Sequence, residues 1–395
     1  MPKLLYIGTL PPHQGGSAIN SARVLAGLAD LGWSVRAIGP ITPEQAAAGD
    51  PFAEAHPRVA VTRFPVPYEE TNAYEPAGNA YRDMQTERLL QALRAAMGRE
   101  RADVIVIGRE SFAWQVPALA KAYATPVVLL ARGLILSIAG GAYPAELGPP
   151  LLAEIGKTDL VIAMAEHMAA TIKGLGITPC LAIPNGVDAV KFQPRPKSAR
   201  LLAGLRIPGD AVVALHPSNL NPVKRPLDLI ESAARILPAA PKLTYLVVGD
   251  GPCRVAMEQA CADHGIADRF RFTGWVEPAA MPDYYAIADL VVMPSASEGL
   301  AMASLEAQAS GLALLASDIP ASREIITDGE TGCLFPVGDV DALARRTLAL
   351  AQDPAARARL GGNARTAVAA ERRFTDCLAG YAAAFEGLIA RGGGG

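Results

Sequence analysis

The stretch VVMPSASEGLAMASLEAQASGLALLAS, residues 291–317, sets two carboxylates, Glu298 and Glu306, eight positions apart in an otherwise apolar run. Asp and Glu are almost never fully buried without partners, and a helix packed on a core has no use for two of them. The pair therefore points to contacts with a hydroxyl-rich ligand. The surrounding pattern reads as a strand at 290–293, a short loop, a helix at 301–310 and a strand at 313–316.

Outward from this stretch the same alternation recurs. The N-terminal part predicts strands at 4–7, 34–38, 59–64, 104–107, 127–130 and 160–163, with helices at 20–31, 86–97 and 114–123. The C-terminal part predicts strands at 212–216, 243–248 and 270–273, with helices at 224–237, 253–264 and 281–288 and further helices from 341 onward. Strands alternating with helices favour parallel, doubly wound sheets. At 395 residues the chain suits two domains, of roughly 190 residues each. PNGVDAVKFQPRPKSAR, residues 184–200, carries three prolines and places the hinge. The expected division is 1–188, 189–372, a C-terminal helix in 373–391 and a disordered glycine tail at 392–395. In that helix Phe374, Leu378, Tyr381, Phe385 and Leu388 form an apolar stripe that requires a partner surface.

Composition narrows the class. Hydrophobic residues make up 51% and charged residues 19%, with a net charge of -3, so no basic footprint for nucleic acid is present. Five cysteines, odd in number and without C-x-x-C spacing, indicate neither a disulfide framework nor a zinc site, and a reducing cytoplasm is the expected compartment. The start, MPKLLYIGTLPP, has an apolar run shorter than that of a signal peptide. VVLLARGLILSIAGGAY, residues 127–143, falls short of the roughly 20 residues of a membrane span. Interrupted by Arg132, it reads as a buried strand plus an apolar loop, and peripheral membrane contact is the minority reading because no Lys/Arg cluster adjoins it.

Candidate site residues follow from chemistry. Gly15 and Gly16 lie between a strand and a helix, where bare backbone and helix N-terminal amides suit a phosphate. Lys224 and Arg225 follow the first strand of the second domain and fall at the carboxyl end of its sheet. A lysine at a helix start is disfavoured by the dipole, so an anion is expected there. Carboxylates such as Glu298 and Glu306 can accept bonds from vicinal hydroxyls. Asp339 and Asp341 imitate a D-x-D metal motif but precede a helix and read as caps. His216 reads as the end of a core strand, and for His13, in the glycine loop, entry into the cleft is the minority reading beside a plain structural one.

IPNGVDAVKF at 183–192, VVGDGP at 247–252 and IADLVVMPS at 287–295 stand in order before the paired glutamates. Together these motifs resemble the retaining GT-B glycosyltransferases of the family 4 type, over most of the chain. The resemblance implies an α/β GT-B fold of two Rossmann-like doubly wound domains facing a cleft. The first domain would bind the acceptor and the second the nucleotide sugar, with the C-terminal helix crossing back to the first. It implies retaining, metal-independent transfer of a hexose from a nucleotide diphosphate sugar, with UDP favoured over GDP or ADP. The acceptor would be a small molecule, a glycan or a natural product, and no cofactor is implied beyond the donor.

Within the resemblance Lys224 matches the lysine that contacts the donor pyrophosphate, Glu306 the carboxylate on the ribose hydroxyls and Glu298 the one on the hexose. The backbone of Gly299, Leu300, Ala301 and Met302 would meet phosphate or sugar, and the backbone near Trp275 and Val276 would read the base. The chain departs from the family at three points. Asn219 replaces an arginine, as in the N-acetylglucosaminyl-malate synthase subgroup, although the arginine that follows there is Asn221 here. Ala301 replaces a glycine. Arg132 and Gly133 replace a His-Gly pair, and Arg132, permanently charged, cannot act as a base. It either holds an anionic acceptor or donor phosphate or forms a structural ion pair. In this chemistry the leaving phosphate takes the acceptor proton, so positioning and charge stabilisation carry the reaction.

Two other readings use the same features. A sugar-nucleotide epimerase or hydrolase could share the fold, and an idle nucleotide-sugar-binding protein would treat Arg132, Asn219 and Ala301 as marks of decay. A dinucleotide dehydrogenase is disfavoured because G-x-G-x-x-G is missing from the first strand turn. Neither a G-x-S-x-G elbow nor a Walker lysine loop occurs.

Overall fold

The computed structural model describes residues 1–13, 15–67 and 79–392. It divides into two compact units, Met1–Pro184 with the segment from Cys377, and Asn185–Asp376. The sequence reading put these boundaries at 188/189 and 372/373.

The first unit is built on strands β1 (Lys3–Ile7), β2 (Ser34–Ile41), β3 (Val59–Pro65), β4 (Val104–Ile107), β5 (Val127–Ala131), β6 (Leu160–Ala163) and β7 (Cys180–Ala182). They pair in the order β3-β2-β1-β4-β5-β6-β7, all parallel. The second unit carries β8 (Val212–Pro217), β9 (Leu243–Val248), β10 (Phe270–Phe272), β11 (Leu290–Met293), β12 (Ala313–Ser317) and β13 (Cys333–Phe335). Its order is β10-β9-β8-β11-β12-β13, again all parallel. Strands covered by helices on both faces must be apolar throughout, which is why VIVI, VVLLA and LVVM are buried at every position.

Each sheet reverses its strand order once, between β1 and β4 and between β8 and β11. At such a switch point the loops leaving the two neighbouring strands diverge to opposite faces and open a crevice at the carboxyl ends. In the second unit those loops are 218–225 and 294–301, and they hold Lys224 and Glu298.

Two three-residue strands, β7 and β13, were not anticipated. Both are sheet edges, paired on one side only, so they need no long apolar run. The apolar loop expected after the strand within 127–143 instead begins as a helix, Leu134–Ala139. The helix expected from 224 starts at Pro226, since proline at the first helical position costs no hydrogen bond. In the second core Tyr245 and Phe270 stack with ring centroids 4.7 Å apart.

The last helix, Phe374–Gly392, buries Leu378, Tyr381, Phe385 and Leu388 in the first unit. Phe385 meets Trp33 edge to face at 6.0 Å. Gly27 faces Leu378 so closely that a Cβ there would stand 2.7 Å from Leu378 Cδ2. Gly392 closes this helix, where the sequence reading began a disordered tail; the rest of that tail lies outside the described residues. Among the described residues no helix is long and apolar enough to cross a membrane.

Candidate functional site

The second unit's switch point assembles a compact polar cluster. After β8 the chain makes a turn of 3-10 helix, Pro222–Lys224, and Arg225 adopts a left-handed conformation (φ 49°) before the helix Pro226–Ile236. After β11 a loop leads through Ser295 and Glu298 to the helix Met302–Ala309. Ala296 N–H donates to the Val223 carbonyl (2.8 Å) and ties the two loops together. Lys224 Nζ donates to both oxygens of Glu298, each at 2.6 Å, and the Ser295 hydroxyl donates to Glu298 Oε1 at 2.8 Å. The Lys224 and Glu298 side chains are only 18% and 12% exposed, so their attraction is weakly screened.

The floor of this cluster is His216, fully buried at the end of β8. Its Nδ1 lies 2.8 Å from the Val292 carbonyl on β11, and its Nε2 has no hydrogen-bond partner among the described residues. A carbonyl can only accept, so Nδ1 carries the proton and Nε2 presents a lone pair. Burial pushes its pKa down to about 4; Lys224 also lowers it, while the Val292 carbonyl and Glu298 oppose the shift. The unfolded chain takes up this proton first, near the ordinary histidine value of 6.5. The stabilising contribution is therefore complete above pH 6.5 and is lost as the pH falls toward 4, by about 3 kcal/mol. Urea titrations at pH 7 and pH 4 should show this loss in the native protein and a smaller one in His216→Leu; equal losses would contradict it.

Glu306 sits in the second turn of the helix Met302–Ala309. The buried Tyr285 hydroxyl lies 3.0 Å from its Oε2 and 3.2 Å from the Ala303 carbonyl. Burial, and then the neighbouring Glu306, raise the Tyr285 pKa well above its usual value, so the phenol stays a donor and fixes the carboxylate. The helix start has no side-chain cap and no acidic residue in its first turn. Gly299, Leu300, Ala301 and Met302 form that start, and the Leu300 carbonyl accepts from Asn185 Nδ2 at 3.2 Å. Asn185, from the IPNGVD segment, thus anchors the loop.

VVGDGP supports the same loops from below. Gly249 has φ +121°, and a Cβ there would stand 2.0 Å from the Ser218 carbonyl, so only glycine lets the chain after β8 pass. Gly249 N–H donates to Gly274 O at 2.8 Å, which places Trp275 and Val276 at the carboxyl end of β10. Trp275 Nε1 donates to Glu277.

Other expected residues stand apart from the cluster. Arg225 directs its guanidinium to Asp228 on its own helix (2.7 and 3.1 Å) rather than to the Lys224–Glu298 pair. Asn219 is exposed in the loop after β8. Asp339 caps the helix Val340–Gln352, and Asp341 pairs with Arg235.

In the first unit Gly15 is the N-cap of the helix Gly16–Asp30, at φ 123°, and open space surrounds the Cβ positions of both Gly15 and Gly16. Arg132 follows β5. Its N–H, with those of Gly133 and Leu134, donates to Glu110 Oε1 at 2.6, 3.0 and 3.1 Å. Glu110 is buried at 3% exposure, and its carboxylate already fills the helix start where a ligand oxyanion could have bound.

Sequence reading missed Tyr285, Ser295, Asn185 and Glu110 as supports. Tyr285 reads as core in an apolar helix, and nothing local marks it. Ser295, three residues before Glu298 at the end of a strand, is the one with a usable signal.

Comparisons with known proteins agree with this geometry. Residues 199–367 match the model described as glycosyl transferases group 1, and residues 15–186 the glycosyl transferase 4-like domain. A D-inositol 3-phosphate glycosyltransferase of Kribbella flavida is 32% identical over 237 residues, 54% of this chain and 55% of the relative. A GDP-mannose-dependent alpha-(1-6)-phosphatidylinositol monomannoside mannosyltransferase of Mycolicibacterium smegmatis is 30% identical over 186 residues, 45% of this chain and 49% of that one. The chain thus spans about half the length of the curated relatives it matches. Among solved structures, a sucrose-phosphate synthase of Thermosynechococcus elongatus superimposes with a TM-score of 0.84 at 21% identity, covering 99% of this chain and 100% of the other. Anabaena HepE in complex with UDP and glucose gives 0.80 at 18% identity, covering 98% and 100%. With two parallel Rossmann-like sheets and a domain match in each unit, the chain belongs to the GT-B group 1 glycosyltransferases.

Proposed function

We propose that the protein is a retaining glycosyltransferase that moves a hexose from a nucleotide diphosphate sugar to an acceptor held by the first unit. The observation that carries this reading is the convergence of Lys224, Glu298 and the Met302–Ala309 helix start at the second switch point. A pyrophosphate needs a cation and free amides, and this crevice offers both.

In this reading Lys224 faces the departing phosphate, Glu306 accepts the ribose hydroxyls and Glu298 orients Lys224 while meeting the hexose. Of the four lone-pair positions of Glu298, Lys224 takes two and Ser295 one, which leaves room for one sugar hydroxyl. The leaving phosphate takes the acceptor proton, so neither a protein base nor a metal is required. UDP is the favoured donor nucleotide, supported by the UDP bound to HepE. The mannosyltransferase relative uses GDP-mannose, so GDP is the competing choice.

The test is nucleotide release from UDP-, GDP- and ADP-sugars, alone and with an acceptor panel that includes D-inositol 3-phosphate, the acceptor named for the relatives. Release from one donor, increased by one acceptor, is expected. Acceptor-independent epimerisation or hydrolysis would move the assignment to those activities, and tight nucleotide binding without turnover to an idle binder.

A further inference from the structure

Arg132 reaches from the end of β5 to the helix that follows β1. Its Nη2 donates to Ser21 Oγ at 3.0 Å. That hydroxyl is itself fixed by Tyr6, whose phenol donates to Ser21 Oγ at 2.8 Å. Room for the phenol is made by Gly8 and Gly108: a Cβ at either would stand 2.4 or 1.9 Å from Tyr6 Oη. Burial raises the Tyr6 pKa, outweighing Arg132 and Ser21, so this donor stays protonated. The backbone of Arg132 is locked separately by Glu110. Ser21, Tyr6 and Glu110 therefore fix one arginine beside the first switch point.

The guanidinium so held is under-used. Of its five N–H donors one meets a neutral hydroxyl, and among the described residues Nε is buried without an acceptor. The nearby Glu110 spends Oε1 on three backbone N–H groups. A structural arginine in a part-buried place is ordinarily paired, because an uncompensated charge there costs several kcal/mol. The arrangement is preorganised for a negative group from outside the chain.

We propose that Arg132 forms an oxyanion-binding site on the first unit, taking a phosphate or carboxylate of a substrate through its guanidinium fork. The glycosyl-transfer reading supplies the identity of that substrate, whereas the site itself rests on the Arg132 geometry.

The test uses calorimetry on the full chain saturated with UDP, with inorganic phosphate as the probe. Arg132→Gln should weaken phosphate binding about tenfold or more, the loss expected for a charged hydrogen bond, with Arg132→Lys intermediate. If UDP affinity is unchanged, the anion belongs to the acceptor. If Arg132→Gln instead weakens UDP, or UDP-glucuronate more than UDP-glucose, it belongs to the donor's diphosphate or to a donor carboxylate. A folded Arg132→Gln protein that matches the native one on all these probes would overturn the proposal. If none of UDP, GDP and ADP binds, the transfer reading fails; phosphate titrated into the nucleotide-free Lys224→Met protein still reports on Arg132.

Discussion

Replacing Lys224 with alanine is expected to cut donor turnover about a thousandfold, the scale of removing a preorganised charge from a developing oxyanion. The Lys224 ammonium is held against Glu298 at 2.6 Å and sits at the reversal of strand order, so nothing beside it can substitute; Arg225 is engaged with Asp228. The same change leaves Glu298, 12% exposed, with the Ser295 hydroxyl as its partner. A destabilisation of about 1–2 kcal/mol follows, smaller than for a fully buried pair because both side chains keep some solvent. Lys224→Met with Glu298→Gln removes both charges and should recover much of that stability while activity stays lost. Activity recovered along with stability would mean the pair is only a structural clasp.

Glu306→Ala should lower kcat/KM for the donor about a thousandfold, chiefly through KM. A carboxylate accepting two hydroxyls contributes about 1.5–3 kcal/mol per bond, and both are lost together. Glu306→Gln retains one acceptor oxygen and should fall between. Tyr285→Phe, which frees the carboxylate without removing it, should cost about tenfold. If Glu306→Ala leaves donor KM unchanged, the carboxylate faces Tyr285 for structural reasons alone, and the ribose assignment is wrong.

The strands were legible because a parallel strand covered on both faces must be apolar at every position. The runs at 104–107, 160–163, 243–248 and 290–293 coincide with β4, β6, β9 and β11. Edge strands such as β7 and β13 escape that rule, as do short helices such as Leu134–Ala139, whose six residues offer too few turns to show a period. The site was legible at Lys224, Glu298 and Glu306, since charges in apolar runs are costly and stand out. Their pairing was not: Lys224 and Glu298 lie 74 residues apart in sequence and meet only because β8 and β11 are neighbours in the sheet. His216 was read as the end of a core strand, which it is, but its proximity to the Lys224–Glu298 pair depends on that same sheet order. Arg132 was recognised as unusual, whereas the carboxylate that locks its backbone, Glu110, follows a different strand and carries no motif.

The most direct test of the donor site is a crystal structure with the nucleotide sugar that supports turnover. The pyrophosphate is expected on Lys224 Nζ and the first amides of the Met302–Ala309 helix, with ribose hydroxyls on Glu306 and one hexose hydroxyl on Glu298. A nucleotide bound away from the loops after β8 and β11, with Lys224 and Glu298 contacting only each other, would contradict it.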